Sequence, residues 1–281
     1  MKVLSSTTET QTLALELRAA GRTLGLVPTM GALHEGHLSL VRAARRENDS
    51  VVVSIFVNPA QFGPQEDLEQ YPRDLRGDTR KLEAEGVDLV YSPRVAEVYP
   101  RGFQTYVEVE ELGKRLDGAS RPTHFRGVAT VIAKLFNVTQ PHRAYFGQKD
   151  AAQVAVIRRL VQDLNFPVQI IVCPIVREPD GLALSSRNAY LTPEERRAAT
   201  VLYRSLHQTE ARYRAGERSG KALRRVLLEC LASESLVRVD YAAVVDPDSL
   251  LPLSKTEGRA LVAVAAWVGR TRLIDNVMLS G

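Results

Sequence analysis

Two histidines three residues apart stand in the stretch Pro28-Thr29-Met30-Gly31-Ala32-Leu33-His34-Glu35-Gly36-His37. At the start of a helix that spacing puts both imidazoles on one face. Unpaired amides and a partial positive charge at the same helix end favour an anion, so the segment reads as a phosphate site. Its glycines let a ligand approach the backbone closely. The competing readings are a solvent-facing pair and a metal pair. The zincin pattern H-E-x-x-H spaces its histidines four apart, however, and no third ligand stands nearby. With neither a Walker A sequence nor G-x-G-x-x-G in the chain, a nucleotide would have to be held by the histidines instead.

Three further segments carry polar groups that could meet such a ligand. Asn58-Pro59-Ala60-Gln61-Phe62-Gly63 offers carboxamides at a turn fixed by proline. Taken alone, such amides are more simply satisfied by loop carbonyls. In Gly147-Gln148-Lys149-Asp150, with Gln153 one turn further on, a strand-to-helix junction would set the Lys149 ammonium where a phosphate sits. Asp150 could cap the helix or face a metal ion. Leu184-Ser185-Ser186-Arg187-Asn188 places two hydroxyls before a forked guanidinium, a set suited to a phosphate chain on a loop able to close.

The elements that must position these groups alternate. Ser6 and Glu9 have the form of a capping box for a helix ending at Gly21. A short strand at 24–27 ends at Pro28, a helix follows with Leu38, Val41 and Ala44 on one face, and the β-branched run 51–57 reads as a strand buried on both faces. Helices near 74–85, 128–137 and 151–164 then alternate with strands near 88–91, 144–146 and 168–172. The expectation is an α/β doubly wound parallel sheet of Rossmann-like, nucleotidyltransferase type. Past residue 174 the grammar changes to helices at 193–215 and 220–232 and strands at 237–245, 260–268 and 271–278. That order predicts a smaller C-terminal α+β domain, with domains at 1–175 and 176–281 and a hinge at 174–193.

Composition narrows the class. The chain has 281 residues, 37 Lys+Arg against 33 Asp+Glu and a net charge of +4, with charges of both signs interleaved. That balance and an aromatic fraction of 6% argue against a nucleic-acid surface, while a mild positive excess suits an enzyme with anionic substrates. Two cysteines, Cys173 and Cys230, make neither a disulfide framework nor a zinc knuckle. The polar amino terminus lacks the apolar core of a secretory signal, and no apolar run approaches the roughly 18 residues of a membrane span. A cytoplasmic protein with no membrane partner is expected.

Together the segments 27–37, 56–62, Tyr71-Pro72-Arg73, His124-Phe125-Arg126-Gly127-Val128, 146–150 and Ser185-Ser186-Arg187-Asn188 resemble the pantoate-beta-alanine ligase family, in order and spacing, across residues 24–195. His-x-Gly-His alone marks only the wider nucleotidyltransferase and class I tRNA-synthetase superfamily. The resemblance implies condensation of pantoate with β-alanine using ATP through a pantoyl adenylate, with AMP and pyrophosphate released. It implies catalytic roles for His34, His37, Lys149 and Arg187, with His37 as a proton donor. It implies ATP contacts from Met30, Gly31, Ala32, Leu33, His34, Glu35, Gly36, His37, Gly147, Gln148, Lys149, Asp150, Val176, Leu184, Ser185, Ser186 and Arg187. Gln61 and Gln153 would bind pantoate, Gln61 also β-alanine, and Asp78 and Asp150 would lie near Mg2+. A homodimer is implied by the family alone, and Arg121, His124 and Arg126 stand close to the site without an assigned role. Leu184 departs from a methionine common before Ser-Ser-Arg and leaves the polar residues intact. Two rival readings remain: a nucleotidyltransferase acting on a phosphorylated metabolite, and an RNA-binding protein on the same fold.

Overall fold

The computed structural model of the chain describes residues 1–64 and 66–280. Six short apolar segments form one all-parallel sheet: β1 (Lys2–Leu4), β2 (Leu24–Thr29), β3 (Ser50–Ile55), β4 (Leu89–Tyr91), β5 (Arg143–Gly147) and β6 (Gln169–Cys173). Every residue of β3 is buried, as a strand covered on both faces must be. Alternation sorts the side chains: Leu24 and Leu26 of β2 and Val52 of β3 join one apolar cluster, while Val27, Val51 and Val53 join another across the sheet. Each such fully buried aliphatic side chain stabilises the fold by about 1.5–3 kcal/mol.

The covering helices are α1 (Thr7–Ala19), α2 (Glu35–Glu47), α3 (Leu75–Ala84), the one-turn α4 (Val95–Val98) and α5 (Asp117–Ser120), then α6 (His124–Thr139) and α7 (Ala151–Asp163). Ser6 caps α1 by accepting from the Glu9 amide, and Asp74 caps α3 by accepting from Gly77. Strand order is β1-β4-β3-β2-β5-β6. From β2 the chain builds outward through β3 and β4, then returns to lay β5 and β6 on the other side. The crevice beyond the carboxyl ends of β2 and β5 is therefore the topological switch point, where open α/β sheets bind ligands.

Three further helices, α8 (Pro193–Ala198), α9 (Val201–Arg214) and α10 (Gly220–Leu231), pack on an antiparallel meander of β7 (Val237–Val245), β8 (Ala260–Val268) and β9 (Thr271–Leu279). Leu223, Leu227 and Leu231, four apart on α10, are fully buried against Leu202, Val262 and Val264. Cys173 and Cys230 are buried free thiols. No helix among the described residues is long and apolar enough to cross a membrane.

Four details differ from the sequence reading. The first strand, Lys2–Leu4, has no local signal; it gains its identity only by pairing with β4. β2 runs on through Pro28 to Thr29, its proline set in register with Ser54 of β3. The expected single helix at 193–215 breaks between Ala198 and Val201, where the Thr200 hydroxyl donates to the Arg197 carbonyl at 2.8 Å and diverts the backbone. Helix α6 begins at His124 rather than Val128, because Gly127 is there for proximity and not as a break: a Cβ at 127 would meet the Ala60 carbonyl oxygen at 2.2 Å. That contact seats the Asn58–Gln61 turn on α6. Gly127→Ala is expected to displace the turn and destabilise the protein by about 1–3 kcal/mol, read as a lowered denaturation midpoint at unchanged m-value.

Candidate active site

The loop leaving β2 is bent by two consecutive residues in the left-handed region, Gly31 at φ 84° and Ala32 at φ 50°. Asp78, buried on α3, holds the bend: its two carboxylate oxygens accept from the amides of Ala32 and Leu33, each at 2.8 Å. Lys81 donates to the Leu33 carbonyl at 2.6 Å. Asp78, expected near a metal ion, is the anchor of this loop, with a backbone amide on each of its oxygens.

The loop delivers His34 to the N-cap of α2 and His37 to its first turn, with ring centroids 4.1 Å apart. The His34 Nδ1 accepts from the Gly36 amide at 3.1 Å, and the His37 Nδ1 accepts from the His34 amide at 3.3 Å. An imidazole that accepts at Nδ1 carries its proton at Nε2, so both rings present Nε2–H as a donor. Burial lowers His34 to about 4, helped by the Lys149 ammonium. Burial also lowers His37 to about 3, with His34, Lys149 and Lys81 adding to the shift. Both rings are neutral at pH 7, so in the free protein His37 donates a hydrogen bond rather than a full proton.

His37 opens onto a cavity of about 200 Å³ that also brings together Met30, Gln61, Lys149, Asp150, Gln153, Ser185 and Arg187. Gln61 is set from two sides: its Oε1 accepts from Asn58 at 3.1 Å and its Nε2 lies 2.9 Å from the Met30 sulfur. Asn58 is in turn held by the Gly127 carbonyl and the Tyr99 hydroxyl. The simpler reading of that loop, an amide satisfying a carbonyl, is thus right for Asn58 and leaves Gln61 to the cavity. Behind Gln61, Arg121 donates to its carbonyl at 3.3 Å and the His124 Nδ1 does so at 3.0 Å. Arg126 points elsewhere, over the Tyr106 ring at 3.9 Å.

Other expected residues flank the cavity without lining it. Gly36 abuts Leu184, whose Cβ would lie 3.8 Å from a Cβ placed at 36. The Val176 carbonyl accepts from Leu184, and the Ser186 hydroxyl lies 3.4 Å from the Tyr71 hydroxyl. Gln148 bonds Asn276 of β9 at 2.9 Å, and Glu35 pairs with Arg42 away from the cavity. Asp150 makes no cap bond to α7, so its expected capping role gives way to the cavity. Sequence reading missed Ser54, Asp117, Arg272 and Tyr241. Arg272 lines the cavity while pairing with Asp117 at 2.7 Å and Asp240 at 2.7 Å, and Tyr241 donates to Asp117 at 3.0 Å. Nothing local in the sequence marks Asp117, Arg272 and Tyr241, because their meeting depends on how β7 and β9 dock on α5.

The site can hold a polyphosphate with neutral donors and the Lys149 ammonium. Because both folded histidine values lie below the unfolded 6.5, the unfolded chain binds more protons under acid conditions. Stability is therefore lost as pH falls from 6.5 toward about 4 for His34 and about 3 for His37. Imidazole NMR should show neither ring titrating between roughly pH 5 and 8 in the free protein, and should show both values rising when tripolyphosphate is added, since an adjacent anion favours the charged form.

The comparisons with known proteins agree with this geometry. A family model described as Pantoate-beta-alanine ligase matches residues 2–278. The chain is 61% identical over 268 residues to the pantothenate synthetase of Roseiflexus castenholzii, covering 94% of this chain and 96% of that protein. It is similar to the crystal structure of pantothenate synthetase from Thermus thermophilus, at 50% identity and a TM-score of 0.93 over 99% of both chains. The pantoate-beta-alanine ligase of Francisella tularensis, solved in complex with beta-gamma ATP and beta-alanine, is 35% identical with a TM-score of 0.82, covering 99% of this chain and 97% of that one. Family model, identity and coverage coincide along nearly the whole sequence, and the chain belongs to the pantoate-beta-alanine ligase family.

Proposed function

We propose that this chain joins pantoate to β-alanine with ATP as the second substrate, through a pantoyl adenylate, releasing AMP and pyrophosphate. The observation that carries the reading is the pairing in one cavity of a phosphate-donor set with a hydroxy-acid set. His37, Lys149, Ser185 and Arg187 make up the first, and the carboxamides of Gln61 and Gln153 make up the second. The pantoate carboxylate is ionised at neutral pH, so it attacks the α-phosphorus without a strong base while the bond to the pyrophosphate oxygen breaks. Nε2–H of His37, beside His34, donates to the phosphate oxygens as charge builds, and Lys149 and Arg187 take up charge on the departing pyrophosphate. The β-alanine amine then attacks the acyl carbon, loses a proton, and AMP leaves. Gln61 and Gln153 each both donate and accept, as a substrate with two hydroxyls and a carboxylate requires. A nucleotidyltransferase of a phosphorylated metabolite, or an RNA-binding protein, leaves the two glutamines without a task.

Magnesium enters as part of the MgATP substrate. Among the described residues no group of three or more His, Cys, Asp or Glu could hold a metal ion, and Asp150 is the carboxylate the cavity offers beside the phosphate groups. That fits an ion held chiefly by phosphate and water. The reading includes a homodimer in the cytoplasm and a division at residues 175 and 176 between the sheet domain and the C-terminal unit.

Product analysis with MgATP, pantoate and β-alanine tests the reaction. AMP and pyrophosphate should form in equal amounts only when both acids are present; ADP, or pyrophosphate with AMP retained in a stable adduct, would refute it. His37→Ala should lower adenylate formation by about 10²–10³ with the melting temperature preserved. Gln61→Ala should raise KM for pantoate well beyond any change for ATP, and equal losses would make Gln61 structural.

A further inference from the structure

Both arginines that line the cavity from the first unit and the loop above it are gripped from outside by adjacent carboxylates. Arg121 donates through Nε to Glu66 Oε1 at 2.8 Å and through Nη2 to Glu66 Oε2 at 2.5 Å. Arg187 does the same with the next residue, through Nε to Asp67 Oδ2 at 3.0 Å and through Nη2 to Asp67 Oδ1 at 2.9 Å. Neither Glu66 nor Asp67 lines the cavity, although Phe62 and Tyr71 of the same segment do. Among the described residues, the Nη1 of neither arginine has a partner. The two guanidinium planes are thus held by one edge, on side chains that line the cavity.

The segment is itself tied to the loop it serves. Tyr71 meets Ser186 through their hydroxyls at 3.4 Å, Tyr190 donates to the Gln70 carbonyl at 3.4 Å, and Arg187 lies over the Tyr71 ring at 6.0 Å. Arg73 ties the backbone of the turn together by donating to the carbonyls of Leu68, Glu69 and Tyr71. Arg187 lines the cavity beside Ser185, and Arg121 stands against Gln61. One short acidic turn therefore sets two cations of the same cavity.

We infer that Glu66 and Asp67 are positioning residues for the anionic substrates: Asp67 fixes Arg187 for the phosphate chain, and Glu66 fixes Arg121 for a substrate carboxylate. A free arginine side chain carries about 2 kcal/mol of rotamer entropy, and a side-on carboxylate fixes its fork before the substrate arrives. The substrate then meets a cation already placed, which lowers the entropy lost on binding. The division of labour between phosphate and carboxylate rests on the ligase reading; the presentation of Arg187 to a polyphosphate does not.

The test uses the full chain and its variants Asp67→Ala, Asp67→Asn and Glu66→Ala, with tripolyphosphate as calorimetric probe and steady-state KM for all three substrates. Asp67→Ala should weaken tripolyphosphate and raise KM for MgATP together, by about tenfold, while KM for pantoate and β-alanine stays nearly unchanged. Asp67→Asn keeps one acceptor and should fall between. Glu66→Ala should raise KM for pantoate or β-alanine and leave tripolyphosphate alone. Tighter tripolyphosphate in Asp67→Ala would mean that the carboxylate competes with the ligand, and unchanged affinity would mean that it is idle. A uniform loss for every substrate, tracking a lower melting temperature, would mean that it is only structural; any of these three overturns the inference. A parent protein that binds tripolyphosphate yet makes no pantothenate would sink the ligase reading while the calorimetry still decides the role of Asp67.

Discussion

The site depends on one buried carboxylate that does not line the cavity. Gly31 and Ala32 are held in the left-handed region, and for alanine that conformation carries strain of about 1–3 kcal/mol. Charge-assisted bonds from the Ala32 and Leu33 amides to Asp78 offset it, each at 2.8 Å. A Cβ at position 31 would lie 3.1 Å from the same Asp78 carboxylate and 3.1 Å from Ile55, so the close approach of α3 also requires the glycine. Only because the loop turns there does the chain reach His34 in extended backbone, at φ −126° and ψ 177°, ready to cap α2. The capping bonds then fix both imidazole tautomers. Loop shape, helix start and hydrogen-bond donor direction follow in sequence from a single packed contact between α3 and β2.

That chain of dependence explains which features could be read from the residues alone. Strands β3, β7 and β8 are legible because continuous or alternating apolar runs of β-branched residues have few other outcomes. The polar segments after β2 and β5, and the Ser185–Arg187 loop, are legible because glycine, histidine, lysine and hydroxyls concentrate there. For Asp78 the family resemblance implies only a place near Mg2+, and its tie to Ala32, 46 residues earlier, is visible only after folding. Glu66 and Asp67 look like an ordinary charged turn for the same reason, since Arg187 lies 120 residues further along the chain than Asp67. The charge state of the histidines is equally hidden, because it follows from burial and from Lys81 and Lys149, not from spacing.

The C-terminal sheet takes part in building the site. Asn276 of β9 donates to the carbonyls of Gln148 and Lys149, at 2.9 Å and 3.0 Å, so the backbone that carries Lys149 is set from the far side of the chain. The neighbouring Asp275 is buried, which pushes its carboxyl up, and Arg177 counters by pairing with both oxygens. Removing one partner of such a pair typically costs about 3–5 kcal/mol. Arg177 also carries the bridge to Ala183 that begins the Ser185–Arg187 loop. One ion pair therefore joins the strand that steadies Lys149 to the loop that bears Arg187.

Asp150 follows the backbone that Asn276 ties to β9 through the carbonyls of Gln148 and Lys149, and its side chain makes no cap bond to α7. That carboxylate lines the cavity together with Lys149. It adds a carboxylate acceptor to the wall that carries the Lys149 ammonium and His37, whose neutral imidazole adds no fixed positive charge there. Arg121 and Arg187 reach the same cavity already paired with acids of their own, so their guanidinium groups are fixed in place there by Glu66 and Asp67.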